Sequence, residues 1–370
     1  MSQARIALLL GVAFSLIASP LYADAPALGV NIVNPYKFAP AELDAMLMGM
    51  QHDGVKVLRA SITLDEKGVE FAERAWKIGI RIEWLIFRFG GFEPGKSLSS
   101  ADTAQFRSTF TPILNKLEAK GISLAAFELG NEINLGPNNL DIPRPSVANQ
   151  AQLGLNDLEH NPDAQRAADG FIRYLEVLNT LKDIRDHSKL NRDTPILTAG
   201  LGTFETADGP FPKAVLQWWR GGDIVSINAT IEFMRHHGLD NLVDGYAVHV
   251  YPPGDRPGDP VADSERKDLL GKYVLGKCAP VRYGRPCWIT EWGFNNASQI
   301  CPIDDTNRTA LVSGMIDMFR PYVKDGRLAG LFAYAWNDLP GVTRVAPLTL
   351  YRCGALTESG KLMIEPKLFK

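Results

Sequence analysis

Beyond residue 23 the chain has no uncharged apolar run approaching the roughly 20 residues that a membrane-spanning helix needs, so no membrane role is expected of the mature protein. It has no run of Lys and Arg either. With 39 cations against 42 acids the net charge is −3, and the basic footprint of a nucleic-acid-binding protein is missing. Histidine is scarce at 6 residues, and His236-His237 sits in a helical stretch and reads as solvated; no Cys-x-x-Cys occurs, so no metal site is expected. Gly-x-Ser-x-Gly and His-Glu-x-x-His are absent, which sets aside serine hydrolase and zincin chemistry, and no cofactor is expected. Without a low-complexity linker, a repeat or a shift in composition, one domain over residues 24–370 is the expectation, working as a monomer.

What is present begins with residues 1–23. Arg5, an apolar stretch from Ile6 to Ile17 and a small-residue end at Leu21-Tyr22-Ala23 read as a cleaved secretory signal, placing the mature protein outside the cell or in a periplasm. Export gives the four cysteines an oxidising compartment, and all lie in the last quarter of the chain. Three pairings are possible. Cys278–Cys287, closing the segment before a strand, and Cys301–Cys353, tying two loops together, are favoured over the others. The Asn-x-Ser/Thr triplets at Asn228, Asn296 and Asn307 would accept glycans only in a eukaryotic secretory route.

Short β-rich runs alternate with longer amphipathic stretches about eight times, the pattern of a closed parallel (β/α)8 barrel. The runs are Leu28–Val33, Val55–Ser61, Arg81–Phe87, Ser123–Leu129, Pro195–Thr198, Gly245–Tyr251, Pro286–Thr290 and Ala329–Trp336, near-continuous apolar segments suited to strands buried on both faces. Helical periodicity is clearest over Asp102–Lys120, Ala164–Asp186 and Thr306–Lys324, with Gly121 as a stop signal. After Asn337 no long periodic stretch remains, so the last helix is expected to be short or displaced. The Pro/Asn-rich stretch Asn134–Pro162 reads as a long loop walling one side of a cleft.

Two glutamates, Glu132 and Glu291, each close an apolar strand, and a barrel places its chemistry at the carboxyl ends of its strands. Paired carboxyl groups suit glycosidic bond cleavage: one protonates the leaving oxygen while the other attacks or activates water. Other polar and aromatic residues end their strands as well. Arg59 follows strand two, Asn131 precedes Glu132, His249 and Tyr251 share one face of strand six, and Trp336 ends strand eight.

Taken in order, these motifs resemble the clan of β/α-barrel glycoside hydrolases that includes the cellulase-like family five and the xylosidase-like family thirty-nine. The resemblance implies that Glu132 is the acid/base, Glu291 the nucleophile and Asn131 the holder of the sugar 2-hydroxyl. It matches Arg59 to the Arg beside the nucleophile, His249-Val250-Tyr251 to a His-x-Tyr on strand six, and Trp336 to a strand-eight Trp. The segment from Gly354 to Lys361 also looks like the clan's ending. Where the cellulase-like family usually carries His after strand three, this chain has Arg88.

Five aromatics lie near strand ends: Trp84, Phe89, Trp292, Phe294 and Trp336. Core packing accounts for most of them, with Trp336 and Trp292 retained as candidate sugar platforms. The expected function is a secreted, retaining β-glycoside hydrolase acting on an oligo- or polysaccharide. A carbohydrate-binding barrel without catalysis and a transglycosidase remodelling exported glycans are the alternatives.

Overall fold

The computed structural model describes residues 26–93, 95–143, 152–203, 205–206, 209–210, 224–254, 256–298, 300–337, 348–365 and 369; the expected signal, residues 1–23, lies outside them. Eight parallel strands form the barrel: β1 Ala27–Asn31, β2 Val57–Ser61, β3 Arg81–Ile86, β4 Ala126–Leu129, β5 Ile196–Leu197, β6 Tyr246–Val250, β7 Cys287–Trp292 and β8 Leu328–Ala333. Each falls on an expected run, shifted by a few residues at its ends. Ladder pairing runs β6-β7-β8-β1-β2-β3-β4-β5, and the remaining seam is closed by parallel bridges Leu197↔Gly245 and Leu201↔Val248. Across that seam Asp244 N–H donates to the Ile196 carbonyl at 2.7 Å and His249 N–H to the Leu201 carbonyl at 2.8 Å.

A helix follows every strand: α1 Pro40–His52, α2 Glu66–Lys77, α3 Thr103–Ala119, α4 Gln165–Asp186, α5 Ile227–His236, α6 Pro260–Asp268, α7 Thr306–Lys324 and α8 Glu358–Ile364. Their starts follow from caps. Asp65 accepts from the Gly68 N–H at 3.1 Å ahead of α2, and Asp102 accepts from the Ala104 and Gln105 N–H groups at 2.8 and 3.0 Å ahead of α3. α3 then buries Phe106, Phe110, Ile113, Leu114 and Leu117, a stripe at three- and four-residue spacing. The last helix is short, 7 residues, as its weak periodicity implies. Within the long loop after β4 the chain forms a further helix, Leu155–His160, while residues 144–151 lie outside the described residues.

Both favoured disulfides are formed, Cys278–Cys287 tying the preceding segment to the first residue of β7 and Cys301–Cys353 joining the loop after β7 to the segment before α8.

Side chains alternate between the barrel interior and the helix layer. On β4, Ala126 and Glu128 face inward while Phe127 and Leu129 join the outer core. The interior has two storeys. Its floor is apolar: Ala126, Leu197 and Ala247 surround Trp288, whose ring stacks on Phe332 at 6.2 Å. The floor needs Gly330, because a Cβ there would meet the Trp288 ring at 2.4 Å. Above it stands a polar storey made by Asn31, Arg59, Glu83, Glu128, His249 and Glu291.

Trp84 faces the other way, out of the barrel: it is 0% exposed, stacks on Phe110 at 4.6 Å and donates from Nε1 to the Ile62 carbonyl at 3.1 Å. Phe89 and Phe294 are buried too. Truncating Trp84 leaves a cavity between β3 and α3 and an unpaired carbonyl, so Trp84→Ala is expected to lose about 3–5 kcal/mol of stability. Urea denaturation of both proteins measures this; an unchanged midpoint would contradict the packing.

Candidate active site

The site is organised around Arg59, which is 2% exposed and projects from β2 into the polar storey. A guanidinium has five N–H donors. Here Nε and Nη2 grip Glu128 in a fork, at 2.8 Å to Oε2 and 2.7 Å to Oε1. Nη1 donates to Asn31 Oδ1 at 2.8 Å and to Glu291 Oε1 at 2.6 Å, and Nη2 also reaches Asn131 Oδ1 at 2.9 Å. Asn31 is fixed in turn, its amide donating to the carbonyls of Thr290 at 2.9 Å and Ala333 at 3.2 Å.

Glu291 owes its direction to an irregularity in β7. Trp288 points into the barrel and Ile289 out, so strict alternation would send Glu291 out with Ile289. The register against β6 instead steps from Val248↔Ile289 to His249↔Glu291, a bulge that turns Glu291 inward and Trp292 outward. Tyr251, following β6, donates its hydroxyl to Glu291 Oε2 at 2.6 Å. Burial, with the Glu291 charge next, pushes the Tyr251 hydroxyl well up, so it stays protonated as a donor.

Glu132 sits just beyond β4 with φ 47, a left-handed backbone that non-glycine residues seldom adopt. Its N–H donates to the Gly200 carbonyl at 2.7 Å and its carbonyl accepts from the Leu135 N–H at 3.0 Å, so both sides of the unusual residue are pinned. Asn138 Nδ2 lies 3.3 Å from Glu132 Oε2, and His249 Nδ1 lies 3.0 Å from Glu132 Oε1 and 3.6 Å from Glu291 Oε2. His249 therefore stands between the two carboxyl groups from below. Gly200 is what lets it, since a Cβ there would meet His249 Nε2 at 2.2 Å.

Glu132, Glu291, Asn131, Arg59, His249 and Tyr251 are thus brought together; the two tryptophans are not. Trp292 is 1% exposed with its ring edge-on to Phe319 of α7 at 5.1 Å, because the bulge that aims Glu291 inward aims Trp292 into the helix layer. Trp336 is also 1% exposed and stacks on Tyr351 at 5.3 Å. Neither has a face to offer a sugar. A second tyrosine beside the carboxyl pair is Tyr334, part-exposed and 6.1 Å from the Tyr251 ring. Burial and then the Glu291 charge push the Tyr334 hydroxyl up to about 12. Arg88, in place of the strand-three His, turns to solvent beside Glu93 at 3.8 Å.

Five of the side chains described here were not singled out in the sequence: Asn31, Glu83, Glu128, Asn138 and Tyr334. For Glu83 and Glu128 a signal exists, a lone acid flanked on both sides by apolar residues inside a strand, as in Ile82-Glu83-Trp84 and Phe127-Glu128-Leu129. Glu132, His249 and Glu291 bring ligand atoms within 4.8 Å of one another, close enough to hold a cation. Arg59 argues against one: its fixed charge already lies 2.6 Å from Glu291 and 3.5 Å from His249 Nε2.

Burial pulls His249 down, but the charges of Glu291 and Glu132 and the bond to Glu132 outweigh it and leave the imidazole above its ordinary 6.5. A group raised on folding stabilises fully below its unfolded value and loses that contribution as pH rises through the folded one. The stability gap between wild type and His249→Gln is accordingly expected to be wide at about pH 5.5 and to narrow toward about pH 9. Thermal unfolding across that range checks it; a gap that widens with pH would contradict a raised imidazole.

No protein-family model and no curated protein matches the chain. Solved structures do. Over 92% of its length the chain is similar to a family 39 glycoside hydrolase from Bacteroides cellulosilyticus, at 14% identity and TM-score 0.51, spanning 64% of that chain. A GH42 β-galactosidase from G. stearothermophilus is matched over 94% of this chain and 56% of its own, at 12% identity and TM-score 0.59. An endo-1,4-β-D-mannanase from Thermotoga petrophila is matched over 93% of this chain and 100% of its own, at 13% identity and TM-score 0.52. The chain is thus shorter than the first two, spanning less than two thirds of each. At such identities the likeness is one of fold: this chain and those enzymes share the (β/α)8 barrel.

Proposed function

We propose that the protein is a secreted, retaining β-glycoside hydrolase acting on an oligo- or polysaccharide, with Glu291 as nucleophile and Glu132 as acid/base. The observation that carries the reading is the carboxyl pair, with oxygens of Glu132 and Glu291 within 4.8 Å of each other at the carboxyl ends of β4 and β7. A retaining pair needs roughly 5–5.5 Å, whereas an inverting pair stands roughly 6.5–9.5 Å apart to admit a water between. The glycoside hydrolases among the fold neighbours support the same class.

The surroundings of the two acids support different roles. Glu291 is held at both oxygens, by Arg59 and Tyr251, which fixes its direction of attack. Glu132 is more exposed, its side chain 21% against 11% for Glu291, as suits a group that must reach the leaving oxygen and later a water. In the first step a Glu291 oxygen bonds to the anomeric carbon while Glu132 gives its proton to the departing oxygen. In the second, Glu132 takes a proton from water, whose oxygen displaces Glu291. Asn131 has its carbonyl oxygen committed to Arg59, so its amide is the part available to donate to the sugar 2-hydroxyl.

Purified protein would be screened against β-linked polysaccharides and aryl glycosides, with NMR of the first anomer released. The β-anomer is expected first; the α-anomer first would overturn retention, and no cleavage of any glycan would sink the hydrolase. Glu291→Ala should fold as wild type yet show almost no turnover. Glu132→Gln should lose about 10²–10⁴-fold in kcat on substrates with poor leaving groups and much less on activated aryl glycosides. Equal losses on both substrate types would take the acid role from Glu132.

A further inference from the structure

Glu83 is 0% exposed in the interior of β3, and the reaction as written makes no use of it. Neither of its carboxyl oxygens has a hydrogen-bond donor within reach. The nearest cation is Arg59, its partner in the β2–β3 register, with Nε 3.9 Å from Glu83 Oε1. Arg59, however, has nothing left to give. Its five N–H groups go to Glu128 twice, Asn31, Glu291 and Asn131. An ionised Glu83 would be a buried carboxylate without a donor, facing the charge of Glu128, which is a costly arrangement.

A neutral carboxyl group in the same place needs an acceptor instead, and Glu128 can be one. Its Oε1 accepts from Arg59 Nη2 at 2.7 Å and from the Gly200 N–H at 2.9 Å, while its Oε2 accepts from Arg59 Nε at 2.8 Å and keeps acceptor capacity. Three N–H donors favour the charge on Glu128, and no donor favours one on Glu83. The directions agree: burial and then the Glu128 charge push Glu83 well up, whereas for Glu128 the upward push of burial is outweighed by Arg59 and by a hydrogen bond from Glu83.

We propose that Glu83 is a neutral carboxylic acid donating its O–H to Glu128, and that it is a positioning residue, acting through Glu128 and Arg59 to hold Glu291 in line. The first half is independent of what the protein cleaves; the second rests on the hydrolase reading. Without Glu83's proton Glu128 loses its fourth partner, and the fork that orients Arg59 is supported on one side less.

Glu83→Gln and Glu83→Met match the side chain in size, but only the amide can donate to Glu128. Infrared difference spectra of wild type against Glu83→Gln near neutral pH are expected to show a protonated-carboxyl C=O band, shifted in D₂O, belonging to wild type alone. No such band would overturn the proposal. In kinetics, Glu83→Met is expected to lose about tenfold in kcat, the scale of one hydrogen bond to a charged group, with KM little changed. Glu83→Gln should recover most of that loss with a wild-type pH profile. Equal kcat in the two variants would refute the positioning role and leave Glu83 as packing. The infrared measurement needs no substrate, so a protein that cleaves nothing would sink the hydrolase while the protonation of Glu83 is still decided.

Discussion

A single buried guanidinium with every donor committed is the constraint from which the rest of the site follows. Arg59 cannot turn without giving up bonds to residues on four different strands or strand ends: β1, β4, the segment after β4, and β7. Burying such a cation costs several kcal/mol, and the cost is offset only because its partners are ionic or well-aimed amides. That is weak evidence for stability and strong evidence for specificity of geometry. The barrel in effect closes twice, once through its backbone ladder and once through the side chains that meet at Arg59.

The two storeys of the interior depend on each other. The Trp288–Phe332 stack fills the lower barrel, and the charged storey rests on this apolar floor. A low-dielectric floor strengthens each charge–charge contact above it and punishes any that is unpaired. Accordingly the polar storey is nearly saturated, Arg59 with five acceptors and Glu128 with three N–H donors. Glu83 is the residue that breaks the pattern for an ionised group and fits it for a neutral one.

Much of this was legible in the sequence, and the limits are instructive. The eight strands were visible because parallel strands buried on both faces become continuous apolar runs, and Glu132 and Glu291 were visible because charge at the end of such a run is conspicuous. Six polar positions expected at the rim do converge. Trp292 was misread for a definite reason: the step in register between Val248↔Ile289 and His249↔Glu291 inserts a residue, and one extra residue exchanges the two faces of a strand. No local propensity announces that bulge. Trp336 was misread because an aromatic at a strand end looks the same in sequence whether its face is open or covered by a neighbour such as Tyr351. Glu83 and Glu128 were passed over because each is isolated within an apolar strand, which is itself the mark of an inward-facing acid once the barrel is recognised.

The bulge also explains why Glu291 and Tyr251 meet. In a regular β6–β7 ladder His249 would pair with Thr290, and the two strand ends would be out of step by one residue. With the extra residue in β7, Glu291 draws level with His249, and Tyr251, two residues further along the chain just past the end of β6, reaches it to donate at 2.6 Å. Arg59 approaches the other oxygen from β2 on the opposite wall. The carboxylate is thereby fixed by partners from both sides of the barrel, so its direction is set by strand register and not by its own rotamer freedom. Glu132, by contrast, stands on a strained residue beyond its strand, held mainly by backbone bonds and by His249 and Asn138. One carboxyl group is built into the wall and the other is mounted on its rim, and the proposed roles of nucleophile and acid/base rest on that difference.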